Sequence, residues 1–578
     1  MTSGIGRVWA RLAVLLPARA DMTEMGRSPR RDLLAGLTVA IVALPLALGF
    51  GVSSGLGAEA GLATAVIAGA LAAVFGGSNL QVSGPTGAMT VVLVPIVAEH
   101  GPTGVLTVGL LAGLMLVALA ALRAGKYMQY VPAPVVEGFT LGIACVIGLQ
   151  QVPNALGVAA PEGDRVLVVT WRAVEEFARQ PNWTAVALAA GVAVVMLVGA
   201  RLRPTVPFSI VAVIAATVVA QLADLDAAAP IGDLPSGLRA PSLGFLDVSA
   251  LGSLLAPAVA VAALAALESL LSASVADGMT VGQKHDPDRE LFGQGVANIA
   301  APLFGGVPAT GAIARTAVNV RTGAGSRLAA LTHAAILALI VFAAAPLVSK
   351  IPLAALAGVL LATAIRMVEI GSLRAMARAT RSDAVILVLT AVATLALDLV
   401  YAVIIGLVVA GGLALRAVAK QARFDQVPLD RGDHSAEEHA LLAEHIVAYR
   451  IDGPLFFAAA HRFLLELTDV ADVRVVILRL SRVSTMDATG ALVLKDAVEK
   501  LNRRGIIVMT SGIRPGQRQA LDSVGALGLL RREGREYATT PEAINGARDH
   551  LRSAGLLPVV PRSKSVPDAR TANEEAVR

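Results

Sequence analysis

The chain has 578 residues, of which 55% are hydrophobic and 16% charged, and its mean hydropathy is +0.69. Such apolarity excludes a disordered chain and sets the protein apart from an ordinary soluble globule, in which about a quarter of residues are charged. A net charge of +5 demands no nucleic-acid partner, and one cysteine, Cys145, permits no disulfide framework.

Residues 1–430 carry 51 of the 91 charges and residues 431–578 the other 40, so a membrane body precedes a charge-rich tail domain. At the N-terminus, residues 8–16 are apolar, but Arg11 interrupts them and Arg19 follows. That pattern predicts an interfacial amphipathic segment within a cytoplasmic 1–32 rather than a cleaved signal. From Leu33 onward, apolar stretches separated by Gly, Pro and charge predict segments over 33–51, 59–76, 80–98, 103–122, 133–152, 183–200, 206–222, 250–274, 290–306, 309–321, 327–348, 352–368, 382–399 and 400–418. These fourteen make a transmembrane domain over 33–420. The third and tenth are short or interrupted, with Gly84 and Pro85 at one start and Gly305, Gly306 and Pro308 before the other. Each reads as a half-helix entered from non-helical backbone. With the N-terminus inside, loops on the inner side hold 21 Lys and Arg against 5 outside. This positive-inside bias predicts an inner (plasma) membrane protein with both termini cytoplasmic.

The approaches to the two interrupted segments share a pattern. FGGSNLQVSGPTGAMT (Phe75–Thr90) and FGGVPATGAIART (Phe304–Thr316) both run Phe-Gly-Gly, then Pro, then Thr-Gly-Ala. They are the third segments of two seven-segment halves, and an odd count forces the halves into opposite orientations. Paired broken segments in inverted halves point to a transporter's binding site. Two half-helices meeting at their N-termini present free amides and positive dipole ends to an anion. Ser83, Thr86, Gly87 and Ala88 are expected on one side, and Thr310, Gly311 and Ala312 on the other. Glycine permits close approach of the ligand, and the hydroxyls add donors.

Few charges fall inside a span. Glu268, in AALAALESLLSASVAD, is costly there unless protonated, paired or solvated by an ion. It reads as a Na⁺ or H⁺ site, with Ser272 one turn on as a further oxygen. Arg315, one turn into the tenth segment, either holds the anion or sets the field around it, or else pairs with Glu268 or snorkels toward the cytoplasm. Glu137 reads as a boundary residue. Asp277, Lys284, His285, Asp286, Asp288 and Arg289 read as a solvated loop rather than a metal site.

In the tail, HIVAYRI (445–451), VRVVILRL (473–480) and GIIVMTS (505–511) read as strands and 489–503 as an amphipathic helix. That alternation predicts a small α/β domain over 437–555, followed by a disordered 561–578. Asp487 or Thr489 is placed to cap the helix. The sequence has no phosphate-binding loop motif and no HExxH, and an enzyme is not expected.

The motifs SGPTGAMT (83–90), ESLLSASVADGMTVGQKHDPDRELFGQGVANI (268–299) and FGGVPATGAIARTAVNV (304–320) resemble those of the SulP anion transporters, and the tail resembles their STAS domain. The resemblance implies a membrane all-α fold of fourteen transmembrane segments as 7+7 inverted repeats. These form a core unit (spans 1–4 and 8–11) and a gate unit (spans 5–7 and 12–14), with elevator-like movement and homodimers. The first span, VAIVALPLALGFGVSSG (39–55), is similar to that of Na⁺-coupled bicarbonate members, with Leu46 after Pro45 where many proton-coupled relatives have Gln or Glu. Glu268, Ser272, Thr310 and Gly311 match that group's sodium-site positions, although an Asp stands there in place of Glu268. Thr489 falls where antagonist domains carry a phosphorylated residue; a partner for the STAS domain is not implied. The expectation is a secondary transporter of bicarbonate or sulfate in the lipid bilayer, coupled to Na⁺ or H⁺ and without a resident cofactor. Dicarboxylate or nucleobase carriage, an uncoupled uniporter and a membrane-anchored regulator remain open at this point.

Overall fold

The computed structural model describes residues 15–17, 19–161, 165–203, 206–223, 229–232, 234, 237–397, 399–428, 442–457, 473–532 and 534–557. The expected interfacial segment therefore lies almost wholly outside the described residues, and the tail after 561 entirely so. The chain divides into two compact units, Met1–Ala410 and Gly411–Arg578.

The first unit opens with α1 (Arg19–Met25), α2 (Pro29–Ser53) and α3 (Ala58–Phe75), then a two-residue strand β1 (Ser83–Gly84) and α4 (Gly87–Ala121). Helix α4 is two helices end to end. Gly101 leaves the helical region (φ 67°, ψ −175°) and Pro102 follows, so the ladder breaks there. Next come α5 (Ala133–Gln150), α6 (Val152–Leu156), α7 (Val166–Arg179), α8 (Trp183–Leu202), α9 (Phe208–Leu222), α10 (Leu251–Met279) and α11 (Pro287–Leu303). A second short strand, β2 (Thr310–Gly311), precedes α12 (Ile313–Arg321), α13 (Leu328–Val348), α14 (Leu353–Met367), α15 (Ile370–Ala379), α16 (Arg381–Ala396) and α17 (Leu399–Lys420).

A helix lies over each of the fourteen expected stretches. Among the described residues nine helical stretches are long and apolar enough to cross a membrane. The remainder are explained by the break inside α4 and by α9, α11, α12 and α16, which have 15, 17, 9 and 16 residues. The amphipathic helices α7 and α15 were not anticipated: their charges masked the pattern. The crowded 277–289 stretch is held together rather than merely solvated. Asp277 accepts from the His285 amide, Asp286 caps α11 through the amides of Asp288 and Arg289, and Arg289 pairs with Asp21 at 2.5 Å.

The helices pack as two groups. Helices α2, α3, α4, α10, α11, α12 and α13 pack most extensively on one another, and α5, α8, α9, α14 and α16 do likewise. Small residues make the close approaches: a Cβ on Gly61 of α3 would lie 2.0 Å from the Ala47 carbonyl oxygen of α2. Fully buried Leu48, Met89, Leu93, Leu116 and Leu254 fill the interior.

The second unit is a six-stranded sheet of β3 (Arg423–Val427), β4 (Ile446–Leu455), β5 (Val475–Arg479), β6 (Val483–Met486), β7 (Ile507–Ser511) and β8 (Glu536–Tyr537). Among the described strands of this sheet only β3 pairs antiparallel; β5 and β6 both run parallel to β4. Among the described residues four helices pack with it: α18 (Ala488–Arg503), α19 (Pro515–Ser523), α20 (Ala526–Arg532) and α21 (Thr540–Ser553). Side chains alternate across the sheet. Val476 and Leu478 pack with α18, α19 and α20, while Val475 and Ile477 pack with α21.

Candidate functional site

The two Thr-Gly-Ala segments come together. Strands β1 and β2 pair antiparallel, Ser83 opposite Gly311 and Gly84 opposite Thr310. Helices α4 and α12 leave this ribbon from opposite ends, so both N-termini start at the crossing. Thr86 is the N-cap of α4, its hydroxyl accepting from the Met89 amide. Ala312 is the N-cap of α12 and its own amide donates to the Val82 carbonyl. Gly87 and Ala88 form the first turn of α4 and are buried.

Helix α10 lays Glu268 against the crossing. Its Oε2 accepts from Thr86 Oγ1 at 2.8 Å and from Thr310 Oγ1 at 2.5 Å, and the two threonine oxygens lie 3.1 Å apart. Thr310 has one hydroxyl proton, and the shorter, charge-assisted contact to the carboxylate takes it. The next residue, Ser269, accepts from the Gly311 amide at 2.9 Å. The threonines are buried, whereas Glu268 keeps some exposed surface and Ala314, in the first turn of α12, is exposed. The triad thus sits at the edge of the packed interior.

Ser272 does not join this group. Its hydroxyl lies 3.0 Å from that of Thr316, which accepts from the Val82 amide at 3.1 Å. One helical turn carries Ser272 past the carboxylate to the back of the crossing. Arg315 neither pairs with Glu268 through an ion pair nor snorkels. It is fully buried, and Nη2 donates to the Pro85 carbonyl while Nη1 has no hydrogen-bond partner. Ser83 accepts from Gln294 Nε2 at 2.6 Å. The glycines answer to packing as well: a Cβ at Gly311 would lie 1.8 Å from Gln81 Nε2, and one at Gly87 2.2 Å from Ile147 Cδ1.

The oxygen set of Glu268, Thr86 and Thr310 has the chemistry of a hard cation or a proton, and Ser272 adds nothing to it. Among the described residues no cluster of three or more His, Cys, Asp or Glu is placed to hold a metal.

Residues 30–390 match the model of the sulfate permease family, and residues 440–543 match the STAS domain. The chain belongs to the sulfate permease family. It is 35% identical to the putative sulfate transporter YvdB of Bacillus subtilis over 88% of this chain and 95% of the relative. It is 31% identical to the bicarbonate transporter BicA of Picosynechococcus over 82% and 87%. The solved transmembrane domain of a cyanobacterial bicarbonate transporter BicA matches at 31% identity with a TM-score of 0.59, covering 66% of this chain and 97% of that one.

In this sulfate permease chain three side chains that sequence reasoning passed over hold the crossing in place: Gln294, Asn298 and Ser269. Asn298 accepts from the Ala309 amide at 2.8 Å and donates to the Ala309 carbonyl at 2.9 Å. Glu290 accepts from the amides of Gly77 and Ser78. Glu290, Gln294 and Asn298 recur every fourth residue, a buried polar stripe on α11, and that stripe was the available signal. In the STAS domain Asp487 caps α18, accepting from the Gly490 amide at 2.7 Å; Thr489 is exposed in the first turn.

Proposed function

We propose that this chain is a secondary transporter of a small inorganic oxyanion, bicarbonate or sulfate, whose movement is coupled to Na⁺ or H⁺ at Glu268. The observation that carries the reading is the hydrogen-bonded set of Glu268, Thr86 and Thr310 at the point where two helix N-termini start. Amides of residues 87–88 and 313–314 supply the anion's donors, with the field of Arg315 behind them. The carboxylate of Glu268 repels an anion held there. A proton or Na⁺ on that carboxylate removes the repulsion, so each ligand raises the other's affinity by the same factor.

The membrane arrangement belongs to the same proposal: fourteen segments in two inverted sevens, both termini cytoplasmic in the plasma membrane, and an elevator-like homodimer. The matched Phe-Gly-Gly approaches, the antiparallel crossing and the packing of the helices in two groups support it. The activity is carriage rather than catalysis, in keeping with relatives named as transporters.

Reconstitution into vesicles tests the reading. Labelled bicarbonate and sulfate uptake is measured under imposed Na⁺ and pH gradients, with fumarate as competitor. Accumulation of one oxyanion driven by one cation gradient is expected. Flux indifferent to both gradients would make the protein a uniporter, and strong competition by fumarate would make it a dicarboxylate carrier.

A further inference from the structure

Helix α7 has three faces where an ordinary surface helix has two. At 3.6 residues per turn, Val166, Val169, Thr170, Ala173 and Phe177 share one arc and pack on the protein, Ala173 with no exposed surface. Thr170 fastens this arc by donating to the Leu149 carbonyl at 3.1 Å. A second arc carries Arg172, Glu175, Glu176 and Arg179, with Arg179 and Glu175 paired at 2.6 Å. The third carries Leu167, Trp171 and Val174, all exposed, Trp171 by 72%.

Fourteen residues are too few for a crossing, and an apolar arc facing water is unfavourable by roughly 25 cal/mol per Å². The neighbouring helix indicates what covers it. Phe177 packs edge-on against Trp183 at 5.3 Å, and Trp183 heads the exposed row of α8 that continues through Val194, Val198 and Leu202. On a membrane-crossing helix that row faces hydrocarbon. The third arc of α7 therefore flanks the packed arc whose Phe177 reaches this lipid-facing row, and the charged arc lies on its other side. We propose that α7 lies in the bilayer interface, its Leu167–Trp171–Val174 arc inserted among lipid chains and its Arg172–Arg179 arc at the headgroups.

The chain has three tryptophans, Trp9, Trp171 and Trp183. The full-length Trp9→Phe/Trp183→Phe protein in phospholipid vesicles reports Trp171 alone. Loss of emission is expected to be greater with a nitroxide near the headgroup than with one near the chain end, and iodide is expected to quench weakly. With Glu176→Trp and Trp171→Phe added, the reporter moves to the charged arc and iodide should quench it strongly. Strong iodide quenching at Trp171 would overturn the proposal by placing the arc in water. Shielding from both iodide and lipid would overturn it by placing the arc against protein, such as a second copy of the chain.

Discussion

At the residue level, the carboxylate of Glu268 is held by two hydroxyl donors from the two arms of the crossing, the N-cap of α4 and strand β2. Glu268→Gln keeps the shape and removes the charge. On the proposed coupling, the cation-stimulated part of uptake falls by roughly 5- to 150-fold, the span of a coupling energy of about 1–3 kcal/mol. Uptake without a gradient falls less. Gradient-driven uptake by the reconstituted variant measures this, and unchanged Na⁺ and pH dependence would remove Glu268 from the coupling step. Asn298 is a different kind of residue, because its side-chain amide satisfies both polar groups of Ala309. Asn298→Ala leaves buried partners unpaired at about 1–3 kcal/mol each, which thermal unfolding in detergent should register as a lowered midpoint.

Among the elements, α11 is the brace for the crossing. Its polar stripe holds the Gly77–Ser78 turn, Ser83 and Ala309, and its small residues let the turn lie flat against it. A Cβ on Gly293 would come within 2.4 Å of the Gly76 Cα and nitrogen, backbone that cannot rotate away. Gly293→Ala is expected to destabilise by about 1–3 kcal/mol and to depress uptake. Gly148→Ala in α5, with nothing within 4 Å of the added carbon, should change neither. The brace also marks the limit of what the sequence carried. The broken segments were legible because Gly84, Pro85, Gly306 and Pro308 forbid regular helix locally, and the likeness of the two approaches was legible as a repeated string. Which side chain meets which was not. Gln294 and Asn298 find partners more than ten residues away, and Ser272 turns to Thr316 because of where α12 runs. Helix α7 escaped notice because four charges and one tryptophan interrupt its apolar pattern.

For the whole molecule, the sheet unit has its own core on both faces, built from Val475–Leu478 and the helices on either side. None of the residues at the crossing comes from it. Deleting residues 430–578 is therefore expected to lower uptake rate or assembly while leaving the ratio of bicarbonate to sulfate uptake unchanged, as measured in vesicles with both labels. A shifted ratio would mean that the STAS domain shapes selectivity.

The opposite departure of α4 and α12 from a two-residue ribbon has an electrical corollary. Peptide dipoles of the two stubs point in opposing senses, so a voltage applied across the bilayer does little net work on the pair. Any potential dependence of flux would then report the translocation of formal charge, above all the state of Glu268 and the ion it carries. Clamping vesicles with potassium and valinomycin would read this directly: the slope of rate against potential should change in Glu268→Gln and persist in Asn298→Ala.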